Sequence, residues 1–465
     1  MKIFFSGIEE LINEDGNPTS TGLAQAQAVF EKLKQWNCQD SIVGLSCDTT
    51  ASNTGKDKGA MVRLQRLLDV PLFYLGCRHH IAELLAKNPF EASFGKTSAP
   101  DIKMFIQLKE HWPEVNTSLQ IRTVNIPKEL RDELLDFYNS LLEEDHFIRG
   151  DYKELAELSV VLHGGNLPGG KLPEDAMKKP GACHKARFMA FGLLILKIFA
   201  FSEQQVVKTH CLSEVIEVEI DEEENEKPRK KTKQSDKKKK KTKKVTVYSQ
   251  ELEDKVTRFC VYALKFYIPT FFKSSRGCDA PSNDLKLYKD LLGFRSIDET
   301  LAASALATMD RHRWYLAPSV VMFSLFSKQV SDDTKARMVA KLLTFEKPEK
   351  KRVGLPAFPT LTGESQLWDL VTEESWDFFT ILKVPVDWLT WPPMKWEESE
   401  HFRRLEKFVT TAKVINDTAE RAIKLASDYA KSLTKDSKMR QKLFQTVEWH
   451  RREKAGRTKK STANK

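Results

Sequence analysis

No stretch of this 465-residue chain is apolar over the roughly 18 residues that a membrane-crossing helix needs. The nearest, "FMAFGLLILKIFAF" at 188–201, has the length of a buried helix and is interrupted by Lys197, so no membrane association is expected. The first residues show neither the basic start nor the long apolar segment of a signal peptide, and secretion is not expected. Cysteine is sparse: seven residues, an odd number without framework spacing, which points to reduced thiols in an intracellular compartment and to no disulfide. A nucleotide-binding loop is also missing. "GNLPGGKL" at 165–172 fills the first seven places of a P-loop, but Leu172 stands where Mg²⁺ needs Ser or Thr, and Pro168 and Pro173 remove backbone donors, so no nucleotide cofactor is expected.

What the chain does have is charge in concentrated form. Its net charge is +9, yet residues 227–244 alone carry +11 and residues 450–465 carry +6, leaving the rest at −8. The folded body is therefore acidic, and the basic character sits in two segments. The stretch "DEEENEKPRKKTKQSDKKKKKTKK" has almost no apolar residue with which to offset its ordering entropy, so a disordered charged loop is expected at about 221–244, with a disordered basic tail at 451–465. Flanking the loop, "SEVIEVEI" at 213–220 and "VTVYS" at 245–249 alternate like the two strands of a hairpin.

The first eighty residues read as strand ("KIFFSG"), helix (19–36), strand (41–47), helix (58–68) and strand (71–77), the signature of a mainly parallel sheet with crossover helices. Beyond residue 80 the helical period dominates, with helices expected near 79–87, 101–113, 127–143, 151–162, 176–203, 249–272, 296–309, 317–328, 331–345 and 397–434. The expected class is α+β, mostly helical.

Three features carry candidate chemistry. Asp48 ends the second expected strand and opens a loop of small polar residues. That position suits a metal-bound phosphate site beyond the carboxyl end of a parallel strand, and it equally suits an Asx turn leading into the next helix. Cys77 and His80 have the i, i+3 spacing of two zinc ligands, although a structural zinc takes about four; hydrogen-bonded packing is the alternative. Glu420 borders the apolar stripe of the last helix, where it either stands partly desolvated or pairs with Lys424 one turn on.

Taken together, "SCDTTASNTG", "LGCRHHIAELL", "PGACHKARFMA", "RHRWYLAPSVVMFSLFS" and "INDTAERAIKL" resemble, in that order, the RNase H-like DDE transposase domain of hAT-type DNA transposons. The resemblance is most specific over 41–85 and 410–430. It implies that Asp48 is the second acid and Glu420 the third of an Asp-Asp-Glu triad holding two Mg²⁺ ions, with Cys77 and His80 as the Cys-x-x-His element. It divides the chain into an amino-terminal part of the core (1–90), a helical insertion (91–395), carboxy-terminal helices completing the core (396–450) and the tail (451–465). The first strand and its Asp are expected to be missing; Glu9, Glu10, Glu14 and Asp15 are the only acids before the first helix, and the expected core is an incomplete, loosened RNase H-like one. The function implied is that of a transposable-element-derived, catalytically incomplete protein that binds DNA, another protein or itself. The alternatives are an active Mg²⁺-dependent strand-cleaving enzyme and a helical protein-interaction module. Lys227, Arg229, Lys230, Lys231, Lys237, Lys238, Lys239, Lys240 and Lys241 are the candidates for DNA contact and nuclear import.

Overall fold

The computed structural model describes residues 19–96, 102–181, 189–220, 241–348, 353–416, 433–436, 439 and 442–443. The protein is α+β and mostly helical, with one parallel and one antiparallel pair of strands among the described residues. It divides into two compact units, the first comprising Met1–Leu85, Thr270–Ile297 and Ala305–Lys465, the second Ala86–Pro269 and Asp298–Ser304.

In the first unit, the helix Gly22–Gln35 starts where the Thr21 side chain accepts the Ala24 N–H, and it packs on the helix Ala60–Leu68. Ala26, Leu33, Ala60, Leu64 and Leu72 form the buried seam between them. The approach is close enough that a Cβ on Gly22 would lie 2.2 Å from the Lys58 carbonyl oxygen. Strand β1 (Gly44–Cys47) runs parallel to β2 (Phe73–Gly76), pairing Gly44 with Phe73 and Cys47 with Gly76. The β2 residues are all buried, whereas those of β1 are all half-buried. Phe73 packs edge-on against Phe323 at 5.3 Å and near Phe378 at 5.9 Å, continuing into an aromatic core with Phe326, Trp388, Trp396 and Phe402. The expected first strand, "KIFFSG", lies outside the described residues.

The second unit is helical apart from a ribbon. The helix Met189–Ala200 is buried on nearly all sides, which is why its sequence is apolar on every face. Its one cation, Lys197, is 1% exposed and reaches Glu154 Oε1 at 2.5 Å. Burial pushes the Lys197 ammonium below its usual range, against the pull of Glu154. Phe191 of this helix stacks on Phe105, and Phe90, Phe94 and Phe259 pack on one another in stacked and edge-on pairs. Strands β3 (Ser213–Ile220) and β4 (Lys241–Tyr248) form the expected antiparallel hairpin.

Several expectations change. Strand β4 begins inside the basic run rather than after it, because pairing sets the acidic face of β3 against it: Glu217 stands opposite Lys244, their side chains 3.8 Å apart. The single helix expected over 176–203 is not continuous, since Pro173–Ala176 is a 3₁₀ turn and residues 177–181, around Pro180 and Gly181, are not helical. The segment 317–328 is one short α-turn, Pro318–Val321, followed by the 3₁₀ stretch Met322–Phe326. The helix expected over 397–434 is described only as Glu400–Thr411 and gives way to irregular chain at 412–416. Thr410 and Thr411 bond back to the Glu406 and Lys407 carbonyls at its last turn, a habit that loosens helices. The helix Ala280–Phe294, entered through Pro281, was not expected from the sequence.

Candidate functional site

Parallel pairing sets the carboxyl ends of β1 and β2 side by side, so Asp48 and Cys77 leave the sheet as neighbours. The ladder continues past the strands, with the Cys77 N–H donating to the Cys47 carbonyl at 2.7 Å. Gly76 is needed here: a Cβ would stand 3.0 Å from Trp314 Cδ1 and 3.1 Å from Thr49 Cγ2.

Asp48 Oδ1 accepts three hydrogen bonds, from the Thr50 N–H at 3.0 Å, the Thr50 hydroxyl at 2.7 Å and Asn53 Nδ2 at 2.6 Å. This is an Asx turn feeding the short helix Ala51–Thr54. Among the described residues Oδ2 accepts none. Burial pushes the Asp48 carboxyl up, but the hydrogen bonds from Thr50 and Asn53, with the charge of His80, outweigh it and hold the group below its ordinary value. The neighbouring Cys47 thiol is pushed up to about 12 by burial and by the charges of Asp48 and Cys77, so it stays protonated.

Behind this edge lies a buried strut. Arg78 is 3% exposed and forks onto Asp284, Nη2 to Oδ1 at 2.6 Å and Nη1 to Oδ2 at 3.1 Å, while its guanidinium lies 4.7 Å above the Tyr315 ring. Tyr315 donates its hydroxyl to the Gly76 carbonyl at 2.8 Å, and the Arg78 N–H donates to the Val414 carbonyl at 2.9 Å. Trp314 stacks on Tyr74 at 5.8 Å, and its buried Nε1 has no partner among the described residues. His312 also faces this region. Its imidazole is pushed down to about 4 by burial, then by Arg311 and His80.

The structure thus brings Asp48, Cys77 and His80 to one edge of the sheet. Arg78, Asp284, His312, Trp314 and Tyr315 join them, and sequence reasoning assigned none of these five a role. Arg78 was visible inside "CRHH", but its partner is 206 residues away. Glu420 lies outside the described residues, as do Glu9, Glu10, Glu14, Asp15 and the basic candidates Lys227, Arg229, Lys230, Lys231 and Lys237 to Lys240. Lys241 begins β4. Among the described residues, no third His, Cys, Asp or Glu completes a ligand group with Cys77 and His80 or with Asp48; the one such group is elsewhere, at His111, Glu114 and His210. The "GNLPGGKL" segment forms a 3₁₀ turn at Pro168–Gly170, with Gly169 and Gly170 at φ +75° and +72°, and no phosphate-binding helix follows it. The described cysteines, Cys38, Cys47, Cys77, Cys211, Cys260 and Cys278, are free thiols. No described helix is long and apolar enough to cross a membrane. No known protein-family model, curated protein or solved structure matches the chain.

Proposed function

We propose that this chain is transposase-derived, that β1 and β2 belong to an RNase H-like core, and that it acts by binding DNA rather than by cutting it. The observation that supports this reading best is the parallel pairing that sets Asp48 beside the Cys77-x-x-His80 element at the carboxyl ends of two strands, where open α/β sheets present their functional groups. The Arg78–Val414 hydrogen bond adds to it, because it brings the chain to that edge six residues before Glu420.

Binding is favoured over cutting by the donor set. Mg²⁺ takes oxygen ligands, and a two-metal centre needs several carboxylates. Among the described residues Asp48 offers one open oxygen there, and the charged neighbour that acts on it, His80, carries nitrogen. The described residues do not fit a two-magnesium site. In the same reading, the lysine and arginine runs at 227–241 and the tail contact phosphates without reading sequence and serve as import signals.

The test pairs a binding titration with a cleavage assay on the full chain. Duplex DNA binding should weaken at least tenfold from low to physiological salt, with a log–log slope reduced by about 2 or more when the lysines and arginines of 227–241 are changed to Gln. Binding indifferent to salt would sink the proposal and leave a helical protein-interaction module. Mg²⁺- or Mn²⁺-dependent strand cleavage, lost in both Asp48→Asn and Glu420→Gln, would replace it with an active nuclease or transposase. Asp48→Asn keeps an oxygen for Thr50 and Asn53, so a loss of cleavage there would not reflect a broken turn.

A further inference from the structure

In the second unit, away from the site above, three metal-binding side chains meet. His111 caps the carboxyl end of the helix Lys103–Glu110, Glu114 closes the 3₁₀ turn Trp112–Glu114, and His210 ends the helix Gln205–His210. The two imidazoles are stacked, their centroids 3.6 Å apart and their planes 14° from parallel. His111 Nδ1 is 2.7 Å from Glu114 Oε1, and one donor atom from each of the three residues lies within 4.8 Å of the other two. We propose that His111, Glu114 and His210 bind one Zn²⁺-like divalent ion, with water in the fourth position.

Four observations carry this. Two imidazoles and a carboxylate are the donor chemistry of a borderline ion rather than of Mg²⁺ or Ca²⁺. The donor atoms already lie within 4.8 Å of one another, and side-chain rotation that opens the 2.7 Å His111–Glu114 contact and turns the stacked rings brings them to the edge of a zinc tetrahedron, about 3.3 Å for bonds of about 2.05 Å. Both histidines sit at helix carboxyl termini, where carbonyl dipoles favour a cation.

The backbone under the site is also pinned. Gln204 Oε1 accepts the Asn116 N–H at 3.1 Å and Gln204 Nε2 donates to the Asn116 carbonyl at 2.8 Å, tying the segment that carries His111 and Glu114 to the start of the helix that carries His210. Buried Trp112 anchors the turn edge-on against Phe201 at 5.8 Å. The ligands are half-buried or exposed, so the fourth position opens to solvent, the arrangement of an exchangeable rather than a closed site.

The test is metal uptake by the full-length, chelator-stripped protein, with Co²⁺ as a visible probe and Zn²⁺ as competitor. One Co²⁺ per chain should bind with a tetrahedral d–d band and be displaced by Zn²⁺. His111→Gln and His210→Gln should each weaken Co²⁺ binding at least tenfold, and Glu114→Gln, at a residue 58% exposed in its side chain, should weaken it several-fold with an unchanged melting temperature. Absence of stoichiometric uptake by the wild type overturns the site. So does wild-type affinity in the His111→Gln/His210→Gln double variant. Should a histidine variant fail to fold, wild-type affinity in Glu114→Gln overturns it alone.

Discussion

Replacing Arg78 by Met removes the centre of the strut behind the candidate site while leaving a side chain of similar length in its slot. The guanidinium is 3% exposed, forks onto Asp284, whose side chain is 12% exposed, and lies against Tyr315. Burial opposes the charge, but Asp284 overrides it and keeps Arg78 ionised. With Met at this position the Asp284 carboxylate stays buried without its cation. Breaking a buried pair in this way costs about 3–5 kcal/mol, and the lost stacking on Tyr315 adds about 1. At roughly 2–4 °C per kcal/mol for a unit of this size, a total of about 4–6 kcal/mol should lower the melting transition of the first unit by about 8–24 °C. The double variant Arg78→Met/Asp284→Leu removes both charges and fills the space with apolar atoms, so it should recover at least half of that loss. The measurement is a thermal scan of the full chain followed by Trp fluorescence, which Trp314 beside the strut makes sensitive to this unit. A single variant that melts within about 2 °C of the wild type, or a double variant no better than the single, would refute the assignment of Arg78 as an ion-paired strut.

Two further outcomes are expected from the same unit. His312 has its folded-state value depressed to about 4, so the unfolded chain takes up a proton that the folded chain resists; stability should fall as the pH drops from about 6.5 to about 4, by up to about 1.4 kcal/mol per pH unit, and His312→Gln should flatten that slope in acid-denaturation curves. Gly22→Ala should destabilise by at least about 1–3 kcal/mol, because the new methyl meets the Lys58 and Ser52 carbonyl oxygens at 2.2 and 2.6 Å, and a variant with wild-type resistance to trypsin would show that the contact relaxes freely.

The elements that were legible in the sequence are those whose cause is local. Alternating Val and Ile across "SEVIEVEI" gives β3. The all-round apolar run at 189–200 gives a buried helix, and the strand, helix, strand order at 41–77 gives the parallel pair. Residues 367–398 were not legible, because 3₁₀ turns at Leu367–Leu370, Glu373–Trp376, Asp387–Thr390 and Pro393–Glu398 are set by where Trp376, Trp388 and Trp396 find aromatic partners rather than by any period. The site divides the same way. Asp48, Cys77 and His80 are readable because strand ends are readable, while Asp284, His312 and Tyr315 reach them through contacts between residues more than two hundred positions apart.

Those long-range contacts explain why the edge of the sheet keeps its shape although β1 is only half-buried. The few ladder hydrogen bonds of a four-residue pair do little to order it, and an isolated pair of strands is marginal in water. Here the end of β2 is held from three directions: Tyr315 bonds the Gly76 carbonyl, Arg78 ties the next residues to Asp284, and the Arg78 N–H holds Val414. Asp48 is fixed separately, by Thr50 and Asn53 within its own turn. The two halves of the edge therefore have independent supports. Loosening the strut should displace Cys77 and His80 while leaving the Asp48 turn formed, and because the charge of His80 helps hold the Asp48 carboxyl down, that displacement would raise the Asp48 value toward the ordinary carboxylate range.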